Sequence, residues 1–256
     1  MFLDIWKVGA LLSAAVLLPE IAYYGIRWLR GVLRKRGDVP STDEISEVIW
    51  TNELTQKCCD EHNRNSGDGD AESVSYITKI PKITTGKPCP NRYCAASNLA
   101  RLVALIDNTK YCIDLAMYTF NSNELSDAIE RAVQRGVEVR IISDNQMIYT
   151  SGSAVTKLTN ADIPVRCPSS KRLMHHKFCI LDGPLRVFSL LEITGQKCDE
   201  RVSAVLMSGS LNWTLQGLGA NWENIILTSN KTIVEEFELE YERMWEAFQV
   251  KEPKSK

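Results

Sequence analysis

The chain holds three histidines, and two of them stand together in MHHKFCILDG, residues 174–183. The run Phe178, Cys179, Ile180, Leu181 reads as a buried strand closed by the turn residues Asp182 and Gly183. Side chains alternate across a strand, so His175 and Lys177 share one face while His176 points to the other. A base or nucleophile is thereby set beside a cation. Farther on, SGSLNWTLQG places Gly209, Ser210 and Asn212 at a strand-to-helix turn, and ANWENIIL follows with Glu223. Hydroxyl and amide groups at such a turn suit a phosphate or an oxyanion. A nucleophile, a cation, a carboxylate and neutral donors are the parts needed for displacement at a phosphodiester, where the protein chiefly positions groups and stabilises charge. A histidine or lysine alone on a strand is usually an ordinary surface residue, and only the combination points to a site.

A second cluster has the character of a metal site. In KCCDEHNR, Cys58 and His62 are one helical turn apart, and KPCPNRYCAAS then supplies Cys89 and Cys94. Two short local pairs of thiolate and imidazole ligands bridging a long loop are what a closed tetrahedral zinc site requires. Cys59 is the alternative first ligand, and a set of unrelated buried cysteines is the alternative to a metal. The intervening polar, Gly/Asp/Ser-rich segment reads as a loop that such a clip would close. Cys112 and Cys179 fall inside apolar strand patterns, where free cysteine behaves as a small hydrophobe.

The elements that must hold these residues alternate. Leu99, Leu102, Val103 and Ile106 mark one helical face, and residues 111–120 read as a strand. Ser122 opens a helix striped by Leu125, Ile129, Ala132 and Val133, which Gly136 ends, and VEVRIISD follows as a strand. A short helix at residues 154–159, a strand at Val165 and Arg166 and the strand carrying the histidines continue the pattern. A last helix presents Ile233, Phe237, Tyr241, Met244, Trp245 and Phe248 as its core-facing stripe. The expected fold is α/β, a parallel or mixed sheet covered by helices.

The chain is 44% hydrophobic and 24% charged, ordinary globular usage, and its net charge of −2 does not mark a nucleic-acid binder. Any anion-binding surface is therefore a local patch. Residues 1–36 differ from the rest: an apolar stretch from Val8 to Leu18, a break at Pro19 and Glu20, a second stretch to Ile26, then Arg27, Arg30, Arg34, Lys35 and Arg36. A basic cluster after the apolar core favours an uncleaved single-pass anchor that leaves the body in the cytosol. An interfacial amphipathic helix and a cleaved signal peptide are the alternatives. A short anchor with a basic downstream flank suits the mitochondrial outer membrane. The expected organisation is an anchor over 1–36, a zinc-binding segment and loop over 37–94, and a catalytic domain over 95–250.

The spacing His175-x-Lys177-x4-Asp182, followed by Gly209-Ser210-x-Asn212, resembles the HKD motif of the phospholipase D superfamily. Together with Glu223-Asn224, the N-terminal anchor and the Cys/His cluster, it further resembles the mitochondrial, single-motif branch of that superfamily. The resemblance implies a phospholipase D-like mixed sheet and a phosphohistidine intermediate. It also implies a homodimer in which two copies complete one active site. His175 of one copy would attack phosphorus while His175 of the other serves as general acid and then base. Lys177 and Asn212 would hold the non-bridging oxygens, Ser210 would support that contact, and Asp182 and Glu223 would orient the histidines. No catalytic metal is implied, and zinc would be structural.

One departure stands out. Residues 183–208 intervene between Asp182 and Gly209, about twenty more than the superfamily pattern has. Strands at 187–193 and 202–207 joined around Gly195-Gln196 would form a hairpin insertion over 184–202, or the segment is a gene-model artefact; a displaced Gly-Ser-x-Asn turn would leave the site incomplete.

The resemblance implies two substrates that the catalytic residues cannot separate. One is single-stranded RNA, cut to leave 5′-phosphate ends in the piRNA pathway alongside that pathway's proteins. The other is cardiolipin, hydrolysed to phosphatidic acid. Lys157, Arg166, Lys171 and Arg172 are candidates for a basic track, and no long exposed apolar run near the motif offers a lipid entry. An endoribonuclease is therefore the expected activity, a cardiolipin hydrolase the alternative, and an inactive scaffold the third reading.

Overall fold

The computed structural model describes residues 44–55, 58, 80, 89–195, 197, 199 and 202–250. The expected anchor, His62 and Cys59 lie outside them. Among the described residues no helix is long and apolar enough to cross a membrane.

Among the described residues eight strands form one mixed sheet: β1 (Ser46–Thr51), β2 (Cys112–Met117), β3 (Glu138–Ser143), β4 (Val165–Cys167), β5 (Lys177–Leu181), β6 (Val205–Gly209), β7 (Glu223–Thr228) and the two-residue β8 (Gln249–Val250), in the order β1-β7-β6-β5-β2-β3-β4-β8. The helix-linked strands β2, β3 and β4 run parallel, and every other pairing is antiparallel. Helices α1 (Ala95–Asn108), α2 (Asn123–Gln134), α3 (Ala154–Thr159), α4 (Pro184–Thr194), α5 (Leu215–Gly219) and α6 (Lys231–Ala247) complete the described fold. Residues of α1, α2 and α3 share the larger core with one face of the sheet, through Leu102, Ile129 and Leu158 against Ile113, Leu115 and Ile141. The other face packs Phe178, Ile180 and Leu206 against Val234, Tyr241 and Met244 of α6. This alternation of inward residues on both faces is what a doubly covered sheet requires.

The helix signals hold. Ser122 caps α2 by accepting from the Leu125 N–H at 3.4 Å, and Gly136 takes the left-handed φ of +87° that ends it. The stripe on α6 is rotated from the one expected: Val234, Glu238, Tyr241 and Met244 are its buried residues, and Ile233 is 45% exposed. A buried acid at Glu238 disguised the true face.

Two corrections concern organisation. The segment after Asp182 begins not with a strand but with α4, which has Gly183 as N-cap, Pro184 in its first turn and Gly195 in the left-handed conformation at its end. Proline at the start and glycine at the end are helix punctuation, and they outweigh the β-branched and aromatic content that suggested a hairpin. The excess residues leave β6 in register with β5, Phe178 opposite Ser208, so the turn beyond Gly209 is not displaced. The sheet also starts well before residue 95, because β1 pairs along β7 with Trp50 opposite Asn224, within a compact unit Glu44–Lys256.

Candidate active site

The antiparallel pairing of β2 with β5 brings the end of one strand to the start of the other, Met117 opposite Lys177. There the chain carries Tyr118 on one side and His175 on the other. Lys177 Nζ lies 3.3 Å from each ring nitrogen of His175 and donates to the His175 carbonyl at 2.9 Å. The Tyr118 ring centroid stands 4.6 Å from that of His175, and Lys177 Nζ sits 5.2 Å from the Tyr118 ring. A cation over an aromatic face is electrostatically favourable, so Tyr118 holds the pair from behind. Burial pulls the Lys177 ammonium below the usual lysine range, against the opposing pull of the Glu223 carboxylate. His176 faces away, edge-on to Phe178 at 5.5 Å, and burial followed by the Lys177 and His175 charges lowers its basicity.

The Gly-Ser-x-Asn turn follows β6. Ser210 Oγ donates to the Glu223 carboxylate and accepts from the Asn224 N–H at 3.1 Å. The Ser210 and Leu211 N–H groups both donate to the Asn224 carbonyl, at 3.1 and 3.2 Å. A Cβ at Gly209 would stand 2.2 Å from that same carbonyl oxygen, so only glycine lets β6 and β7 approach here. Asn212 Oδ1 accepts from the Thr119 N–H at 3.2 Å, which fixes its amide and leaves the NH2 end as a donor. A cleft of about 350 Å³ is lined by His175, His176, Lys177, Phe178 and Gly209 and by Glu236, Phe237 and Glu240 of α6, so His176 borders the cleft although it lies on the opposite side of the chain from Tyr118.

Asp182 does not belong to this constellation. The length of β5 separates it from His175, roughly 20 Å at the rise of an extended chain. Its carboxylate accepts from the N–H groups of Lys110, Tyr111 and Cys112 at 2.9, 2.7 and 3.0 Å, at a backbone φ of +51°. It ties the far end of β5 to the start of β2 and orients no histidine of its own chain. Glu223 likewise bonds Ser210 and Asn221 Nδ2 rather than a histidine.

The basic candidates divide. Lys171 and Arg172 are exposed on the loop that leads into His175. Arg166 is occupied: its guanidinium donates to the Trp245 carbonyl and lies 4.3 Å from the Trp245 ring centroid. Lys157 is paired with Asp127 and Glu130, at 2.8 and 3.0 Å. Charge alone could not tell a free cation from one already neutralised. Tyr118 carried no signal in the sequence, since only the pairing of β2 with β5 brings it beside His175.

The cysteines converge. The Sγ atoms of Cys58, Cys89 and Cys94 lie within 4.8 Å of one another. A tetrahedral zinc with Zn–S bonds of ~2.3 Å sets its sulfurs nearly 4 Å apart, so the trio fits such an ion with slight contraction. Asn91 Nδ2 donates to Cys58 Sγ at 3.1 Å, and the Ser97 N–H donates to Cys94 Sγ at 3.5 Å. Such donors favour a thiolate: burial opposes ionisation of Cys94, yet the bonds from Ser97 and the adjoining thiols pull it below the usual thiol range. Burial pushes Cys58 up to about 12.

Known proteins share the sequence and the fold of the chain. The family model described as cardiolipin synthase, PLD-like domain, matches residues 102–245. A Drosophila melanogaster protein named mitochondrial cardiolipin hydrolase is 43% identical over 204 residues, 80% of this chain and 76% of that one. The Homo sapiens protein of the same name is 29% identical over 244 residues, 95% of this chain and 81% of its own length. Among solved structures, NucT from Helicobacter pylori shares the fold with a TM-score of 0.51, at 20% identity over 62% of this chain and 94% of that one.

Proposed function

The chain belongs to the phospholipase D-like family, and from that premise we propose that it is a phosphodiesterase working through a phosphohistidine, with single-stranded RNA as its substrate. The observation that carries the reading is the Lys177 ammonium held 3.3 Å from both ring nitrogens of His175. A cation there counters the negative charge that builds on the phosphoryl oxygens during displacement.

One chain supplies one such histidine, and a second copy supplies the acid. His175 attacks phosphorus, and the bond from phosphorus to the 3′ oxygen breaks as His175 of the second copy gives that oxygen its proton. Water then attacks the phosphohistidine, losing its proton to the second histidine, and leaves a 5′-phosphate. Lys177 and Asn212 of both copies hold the non-bridging oxygens, Ser210 braces the turn through Glu223, and Lys171 and Arg172 meet the backbone before it enters. Cys58, Cys89 and Cys94, with His62, hold a structural zinc, and the chemistry itself draws on no metal.

The relatives' names favour a second reading, cardiolipin hydrolysis at the same site, and they support a mitochondrial location. The apolar stretches and basic flank of residues 1–36 are what support the proposed membrane anchor with the body in the cytosol. In that setting, proteins of the piRNA pathway are the proposed partners.

The test is incubation of the full chain with 5′-labelled single-stranded RNA and, separately, with cardiolipin vesicles, each in EDTA and each beside His175→Ala. RNA cleavage that persists in EDTA and disappears in the variant supports the nuclease. Turnover of lipid alone replaces it with the second reading, and silence on both substrates leaves a scaffold.

A further inference from the structure

Outside the cleft, a larger groove of about 450 Å³ opens along the end of β1. Trp50, Trp222, Tyr93 and Arg92 line it, together with Glu223 and Asn224, which bond the Gly-Ser-x-Asn turn of the active site. Trp50 is 43% exposed and Trp222 68%, a costly display of aromatic surface unless something covers it. The backbone at Trp50 is anchored, and Arg92 lies against Tyr93. The Trp50 carbonyl accepts from Asn98 Nδ2 at 3.2 Å, Trp50 stands opposite Asn224 in the β1–β7 register, and the Arg92 guanidinium lies 5.5 Å from the Tyr93 ring centroid.

We infer that this groove is a subsite for an unpaired nucleobase of the strand whose phosphate lies at His175. The inference rests on the nuclease reading and deepens it. Aromatic faces and a guanidinium plane bind bases by stacking whatever their sequence, which is how single strands are held without base-specific readout. The groove has the volume of a site for a small organic ligand. Its wall is continuous with the chemistry, because Glu223 lines the groove and accepts from Ser210 of the Gly-Ser-x-Asn turn. An acyl chain in the same place would strip water from Arg92, Glu223 and Asn224 and return no hydrogen bond, whereas a base offers both donors and acceptors. Arg92 and Tyr93 lie between Cys89 and Cys94, so the cysteine cluster positions one wall of the groove.

The test uses the full chain carrying His175→Ala, which binds RNA without cutting it, and a 5′-fluorescein single-stranded oligonucleotide read by anisotropy. Trp50→Ala and Trp222→Ala are each expected to weaken binding about tenfold or more, and Trp50→Phe to recover most of the loss. On an oligonucleotide of abasic residues the penalties disappear, an outcome that a merely structural role for the tryptophans would not give. Unchanged affinity for the normal oligonucleotide overturns the subsite and leaves the nuclease standing. Loss of binding to cardiolipin vesicles in place of RNA makes the groove an acyl-chain site, and conversion of dimer to monomer makes it a contact between copies; each overturns the proposal. If the chain with every tryptophan intact neither binds nor cuts RNA, the nuclease reading fails first and the subsite falls with it.

Discussion

Lys177 Nζ stands 3.3 Å from both Nδ1 and Nε2 of His175, so the ammonium is equidistant from the two ring nitrogens. In the proposed mechanism the same cation is therefore beside whichever nitrogen attacks phosphorus. The contact needs no long-range assembly, since His175 lies two residues ahead of Lys177, the first residue of β5.

Under the proposed mechanism each copy supplies one histidine, and activity belongs to the pair. Mixing and reassociating equal amounts of unmodified chain and His175→Ala is expected to lower RNA cleavage to about one quarter, the share of dimers with two intact copies. Tagged, doubly purified mixed dimers are expected to be inactive. Half of the full rate in such dimers would mean that each chain works alone.

Asp182 is expected to matter for stability rather than for turnover. Asp182→Ala orphans the N–H groups of Lys110, Tyr111 and Cys112 and should cost about 3 kcal/mol or more in urea unfolding. Asp182→Asn keeps an acceptor and tolerates the positive φ, so its loss is smaller, with kcat of the folded protein within about threefold of the original. A large fall in kcat at unchanged stability would restore a catalytic role.

Glu238 sits 2% exposed at the start of α4, accepting from the Leu185 and Arg186 N–H groups. Burial, reinforced by the Asp114 and Glu235 carboxylates, raises its pKa from 4.5 to about 7. The folded state therefore holds a proton that the unfolded chain has released. The stabilisation is complete below about 4.5 and is lost as pH rises through about 7, on the order of 3 kcal/mol in all. Thermal melts across that window should show stability falling with pH more steeply in the unmodified chain than in Glu238→Gln. The reverse slope would rule out a buried, proton-holding Glu238.

The cysteine trio predicts about one zinc per chain on elemental analysis after purification without chelator. Cys89→Ser should lose it and melt on the order of 5 °C lower. Zinc retained in the variant would exclude Cys89 as a ligand.

Gly209→Ala sets a methyl group against the Asn224 carbonyl at 2.2 Å. The strands must part just before Ser210, at an expected cost of about 1–3 kcal/mol and a tenfold or greater loss of kcat. Activity within about twofold would show that the turn tolerates displacement.

What could be known from the sequence was local. The His175-x-Lys177 spacing on an apolar run gave a shared face, and Ser122 and Gly136 bounded a helix, because alternation and capping act over a few residues. The Gly-Ser-x-Asn segment was legible as a turn after a strand for the same reason, and the three described cysteines of the proposed metal set do converge. Partners distant in sequence were not legible. Asp182 bonds backbone 70 to 72 residues away, Arg166 is taken up by Trp245, and the excess segment opens as a helix whose first turn rests on Glu238. The groove beside Glu223 exists only because β1 crosses the chain to lie against β7. Each of these depends on which strand edge or buried acid waits at the far end of a chain crossing. Packing and strand register decide that, through contacts that no window of neighbouring residues contains.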